Sequence, residues 1–160
     1  MCSLSWHTNR ARIVHFGVTA HPTAEWTAHQ LREAFPWDNA PRHLLRDRDR
    51  MFGHDFVEQV DAIGIKQVLS APRSPWQGAY VKRVIGTIPR ECLDHLSVFN
   101  ENSLSGHLEA SIGYYHRTRT HLALQKDAPD PRTLQPPKAG RIISTPEVGG
   151  LPHRYERRAA

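Results

Sequence analysis

The strongest constraint on this chain is an apolar spacing that changes period repeatedly between Arg12 and Leu69. Over Arg12 to Val18 the residues alternate, with Val14, Phe16 and Val18 on one side and Ile13, His15 and Gly17 on the other, the period-2 mark of a strand. His21-Pro22-Thr23 then opens a helix, with His21 or Thr23 as cap and Pro22 tolerated at the very start. Ala24, Ala28, Leu31 and Phe35 recur at helical spacing until Pro36 stops the run. A short strand follows Pro41, at His43 to Arg46. Phe56, Val57, Val60 and Ile63 stripe a second helix, closed by Gly64, because the residue past a helix end often takes left-handed backbone that glycine adopts without penalty. Ile65 to Leu69 is a further strand. This strand-helix-strand-helix-strand order predicts an α/β fold.

The second half covers that sheet. Ser70 to Gly78 holds two prolines and a glycine and is a loop; a helical segment then runs from about Ala79 to Leu96, interrupted by Pro89. Proline inside a helix removes a hydrogen bond and clashes with the preceding turn, at a cost on the order of 3 kcal/mol. That is large against a total stability of about 5–15 kcal/mol, so the product is expected to be weakly stable. Leu104, Leu108, Ile112 and Tyr115 stripe another helix. From Ala128 onward prolines and glycines dominate, so residues 10–127 are expected to form the core domain and 128–160 an extended tail.

Charge and composition narrow the partners. Lys plus Arg is 21 against 16 Asp plus Glu, a net +5, which favours an anionic partner such as nucleic acid, although a merely basic soluble protein has the same balance. The cysteines are Cys2 and Cys92, with no CxxC pair, and the 11 histidines show no HExxH or HxxxH spacing. Neither a disulfide framework nor a histidine-built metal site is predicted. No apolar run approaches the length of a membrane span and no leader pattern opens the chain, so a cytoplasmic location is expected.

Three segments carry chemistry. In Leu44 to Gly53, Asp47 follows a short apolar strand, a place where α/β sheets gather ligands and where a carboxylate can hold a divalent cation; Arg46 and Arg48 beside it can neutralise phosphates. A turn of solvated charge pairs has the same composition. In Ala71 to Arg83, a proline-bounded loop runs into a basic helix. There Arg73, Gln77, Lys82 and Arg83 can meet a phosphate backbone, and Trp76 or Tyr80 can stack on a splayed base. Trp76 packed down as the anchor of the loop is equally compatible. In Tyr114 to Leu124, Arg119 and His121 alternate with aromatics in a way that suits nucleic acid, but cations at a helix C-terminus are ordinary.

Together these segments resemble the integrase core of bacterial insertion-sequence transposases, relatives of retroviral integrases, over about residues 10 to 155. Arg46-Asp47-Arg48 through Phe52 and Phe56 is similar to the block with the second catalytic aspartate. Residues Ala71 to Ile85 resemble the block Pro-Arg-x-Pro-x-Gln-Asn-x-x-Val-Glu-Arg, which carries the catalytic glutamate. Tyr115, Arg119, His121 and Leu124 resemble the C-terminal signature. The resemblance implies an RNase H-like fold in which three carboxylates hold two Mg²⁺ or Mn²⁺ ions that drive an in-line displacement at phosphorus. It assigns Asp47 as second metal ligand, with Asp49 well below it, because the family usually has glycine there.

The same resemblance marks what is absent. Residues 1 to 24 contain no Asp or Glu, so the family's first strand and its aspartate are expected upstream of Met1, as in a truncated or frame-shifted reading frame. Lys82 stands in the glutamate position, and a protonated lysine cannot ligate a hard cation. Glu91 lies nine residues on, about half a turn round the helix and ~13 Å along its axis, out of reach. One carboxylate of three remains, so no ion is expected to bind productively. Three functions stay open: a transposase or integrase relic that contacts DNA without cutting or joining it; a DNA-binding or dimerising modulator of an intact transposase; and an active enzyme completed by another chain.

Overall fold

The computed structural model describes residues 2–7, 12–36, 39–49, 51–91, 94 and 97–159; the side chains of 2–7, 75, 80, 88, 89 and 91 fall outside that description. The chain is mixed α/β and divides into two compact units, Met1–Val84 and Ile85–Ala160.

In the first unit, strand β1 (Cys2–His7) pairs antiparallel with β2 (Arg12–Val18). A strand therefore does stand ahead of Arg12, but its sequence, Cys-Ser-Leu-Ser-Trp-His, has no carboxylate. On β2 the face turned to helix α1 (Ala24–Ala34) carries Ile13, His15 and Gly17: Ile13 is buried, and His15 Nε2 lies 2.8 Å from Gln30 Oε1. Gly17 is needed there, because a Cβ would sit 2.8 Å from Trp26 Cζ2 on α1. Of the two possible caps the fold uses Thr23, whose Oγ1 accepts from Trp26 N at 3.1 Å, while Pro22 stays outside the helix.

Parallel strands β3 (His43–Arg46) and β4 (Lys66–Leu69) flank helix α2 (His54–Ala62) in sequence. The end of α2 is a Schellman motif around Gly64 (φ 79), with Gly64 N donating to Asp61 O and Ile65 N to Val60 O. Leu31, Phe35, Phe56, Val60 and Ile65 form the buried core, with Leu44 and Phe52 packed against it. The helical stripes expected from sequence are thus the packed faces. Leu45 and Val68 are register partners on the opposite face of the β3–β4 pair and remain 48% and 41% exposed.

Helix α3 (Ala79–Glu91) includes position 89; of the helical segment expected up to Leu96, residues 92, 93, 95 and 96 lie outside the described residues. Arg90 Nε donates to the Gly86 carbonyl at 2.8 Å, one turn back along the helix.

In the second unit, helix α4 (Glu101–Arg117) starts at Asn100, whose side chain accepts from Ser103 N at 2.8 Å, and buries Leu108, Ile112 and Tyr115. The proline- and glycine-rich region holds more order than an extended tail. Strands β5 (Arg141–Pro146) and β6 (His153–Arg158) pair antiparallel, because Val148, Gly149 and Gly150 all take positive φ and turn the chain back. Among the described residues no helix is long and apolar enough to cross a membrane.

Candidate metal and nucleic-acid site

The parallel register Arg46↔Leu69 sets the C-terminal ends of β3 and β4 side by side, and Ser70 N donates to Arg46 O at 2.9 Å. Asp47, the first residue beyond β3, thereby shares an edge with the start of the loop 70–78. This is the strand-end placement anticipated for a ligand. Its chemistry is thin. Asp47 is exposed, and its Oδ1 accepts the amide of Asp49 at 3.2 Å; Asp49 Oδ1 in turn accepts from Met51 N at 3.1 Å. Two successive aspartates thus shape turns, the local role for which short carboxylates are favoured.

The cations nearby divide into committed and free. Arg46 Nε donates to Gln67 Oε1 at 2.9 Å, Nη1 donates to the Asp47 carbonyl at 3.2 Å, and the guanidinium lies 5.8 Å from the Phe52 ring centroid. Arg46 therefore staples β3 to β4. Arg48 is exposed, with no hydrogen bond or ion pair among the described residues.

In the loop, the anchoring side chain is not Trp76 but Gln77. Its Oε1 accepts from Ala71 N at 2.7 Å, closing the segment on itself, whereas Trp76 is 69% exposed. Arg73 sits at the loop's tip in left-handed backbone (φ 57), exposed. Pro75 to Gly78 form a 3-10 turn leading into α3, where Lys82 and Arg83 are exposed while Val84 is buried. The helix thus turns its cations outward. Tyr80, assigned to DNA contact from sequence, has its side chain outside the described residues.

A two-cation site needs several oxygens converging on one point. Among the described residues, one group of three or more possible ligands comes together: His54, Asp55 and Glu58, exposed on the first turns of α2, with ligand atoms within 4.8 Å of one another. Asp47 is not part of it. His54 and Glu58 are an i,i+4 pair at 3.6 Å, an ordinary arrangement on a helix surface. Among the described residues Asp47 joins no group of three or more possible ligands, whereas the metal pair that the resemblance implies asks for three carboxylates.

The third segment is built into the second unit. Tyr115 is buried on α4, the His121 ring meets it edge-on at 4.8 Å, and Arg119 lies 5.9 Å from its centroid. His121 N donates to Asp127 O and Lys126 N to His121 O, both at 2.9 Å, tying off the turn 121–127. Burial, and secondarily the Arg119 charge, hold the His121 pKa below its ordinary value. Burial pushes the Tyr115 pKa up, against a smaller opposing effect of Arg119. His121 Nε2 is buried without a hydrogen-bond partner among the described residues. Sequence reasoning missed Asp127, which accepts from Ala128 N at 2.8 Å and Arg132 N at 3.2 Å. Its signal was the Asp-Ala-Pro-Asp-Pro run, a composition typical of turns built by short carboxylates.

A family model described as integrase core domain matches residues 63–129. The matched stretch takes in the loop, Lys82, Arg83 and the Tyr115–His121 cluster; it covers less than half of the chain and begins beyond Asp47. No curated protein matches the sequence. Among solved structures, the chain is similar to one from the cryo-EM structure of the simian T-cell lymphotropic virus intasome in complex with PP2A regulatory subunit B56 gamma. Identity is 15%, the match covers 87% of this chain and 52% of that chain, and the TM-score is 0.47. The chain therefore spans about half the length of that solved chain.

Proposed function

We propose that this chain is an integration- or transposition-related protein with an RNase H-like core that contacts DNA but does not cut or join it. One observation carries the proposal: among the described residues Asp47 stands at a strand end outside any group of three or more possible ligands, while an exposed lysine, Lys82, occupies the position that the resemblance gives to the glutamate. Mg²⁺ or Mn²⁺, where bound in this family, would supply an activated oxygen nucleophile and stabilise the leaving oxygen. Asp47 alone gives such an ion too few oxygens, and a lysine in place of the family's glutamate supplies a positive charge instead of a ligand. What remains suits phosphate: Arg48, Arg73, Lys82 and Arg83 are exposed, and Trp76 offers a ring face.

The test is a strand-transfer assay on a labelled duplex in Mn²⁺, alongside binding to the same duplex by fluorescence anisotropy. The wild type is expected to bind and give no product, and Lys82→Glu to remain inactive because it restores one carboxylate of the two missing. Joined product from the wild-type chain alone would overturn the proposal. So would the absence of salt-sensitive binding.

A further inference from the structure

The second unit ends in a feature that none of the three motif segments uses. Strands β5 and β6 form a two-stranded ribbon in which Arg141 faces Arg158, Ile143 faces Glu156 and Thr145 faces Arg154. Register partners share a face, so three arginines and one glutamate line one side of the ribbon. The side chains of Arg154 and Arg158 are 52% and 69% exposed. Glu156 is placed between them on the same strand, 2.7 Å from Arg154 Nη2 and 3.4 Å from Arg158 Nη2. One carboxylate thus holds two guanidinium groups upright on a shared face while cancelling only one of their charges. Arg141 and Lys138 are exposed, with no hydrogen bond or ion pair among the described residues.

From Lys138 to Arg158 there are five cations against two carboxylates, so this segment holds +3 of the chain's net +5. The ribbon itself is fixed at its base. Arg157 Nη1 donates to Gly140 O at 3.0 Å, Arg157 N donates to Gln135 Oε1, and Thr118 Oγ1 on the α4 side reaches Glu147 Oε2 at 3.4 Å. The three arginines are therefore arrayed on a positioned element. Arg154 and Arg158 are four residues apart on one strand, ~14 Å along it, with Arg141 ~5 Å across from Arg158. That span matches several successive phosphates of a duplex, and a two-stranded ribbon fits the width of the major groove.

We propose that the β5–β6 ribbon is a duplex-DNA contact surface, with Arg141, Arg154 and Arg158 on the phosphates and Glu156 orienting the latter two. The inference rests on the reading that the chain contacts DNA, but it locates that contact on residues which the reading does not invoke. Glu156 is a positioning residue here, since it meets arginines and not DNA.

The test uses the full chain and a fluorescein-labelled 30-base-pair duplex, with anisotropy titrations at several salt concentrations and circular dichroism to check folding. Two variants are compared with wild type: Arg141, Arg154 and Arg158 all changed to Gln, and the same three changed to Lys. Each phosphate contact contributes about 0.9 to the slope of log affinity against log salt, so the Gln variant is expected to flatten that slope by nearly three while the Lys variant keeps it. If wild type binds and the Gln variant matches it in slope and affinity, the ribbon proposal fails while the DNA reading stands. A Lys variant that loses the slope as fully as the Gln variant overturns the ribbon proposal as well. If the wild type itself shows no salt-dependent binding, both fail.

Discussion

Substituting Gly140 with alanine tests whether the ribbon is held from its base. Gly140 has φ 114 and ψ −165, a region of backbone open essentially to glycine alone. Occupying it with any other residue costs about 1–3 kcal/mol. A second penalty adds to this, because an alanine Cβ would lie 2.6 Å from the Arg158 carbonyl carbon and 2.9 Å from Ala159 N, which are backbone atoms that cannot swing aside. An isolated two-stranded hairpin is marginally stable at best, so a loss of this size exceeds what it can absorb. The strands should part at the Arg141–Arg158 end while α4, with Leu108, Ile112 and Tyr115 buried, stays folded. Native-state hydrogen exchange reads this directly. Taking ~2 kcal/mol as the local loss, amides paired between β5 and β6 should exchange about thirtyfold faster, with α4 amides unchanged. Equal protection of the ribbon in Gly140→Ala and wild type would refute the argument.

Two further outcomes follow from burial. His121 has a pKa lowered in the fold, so its contribution to stability is complete above the unfolded value of about 6.5 and is lost as pH falls through the folded value. Thermal melts of wild type should fall on going below pH 6.5, and His121→Phe, which also removes the unpartnered Nε2, should lessen that fall; parallel melting curves against pH for the two proteins would contradict this. Val60 is fully buried in the first unit's core, and Val60→Ala should cost ~2–3 kcal/mol in denaturant melts, the sum of two lost methyl groups and a residual cavity. A loss under ~0.5 kcal/mol would mean that the core around Val60 is not packed as described.

Legibility in the sequence followed how local each signal was. The helix around Phe56 and Val60 was readable because its stripe and its Gly64 terminator depend on a few adjacent residues, and the fold kept both. The strand at 12–18 was readable as a strand, but its alternation could not say which side packs. The buried side is the less apolar one, because Gly17 lets α1 approach and His15 meets Gln30. The ribbon at 141–158 was hidden, since its prolines and glycines are loop residues by composition and its register depends on three consecutive positive φ values. At the candidate site, sequence placed Asp47 at a strand end. It could not divide Arg46, bound to Gln67, from Arg48, nor foresee that Gln77 would fasten the loop and leave Trp76 in solvent. The first is made by a partner 21 residues away and the second by a backbone amide six residues back, and neither pairing is marked by composition.

The uncovered side of the β3–β4 pair carries a consequence of its own. Parallel strands ordinarily lie under a layer on both faces, and here Leu45 and Val68 stand together on the side away from the α1–α2 core. Water released from two adjacent branched side chains rewards any contact that covers them. For this protein, raising its concentration should therefore favour self-association through this face.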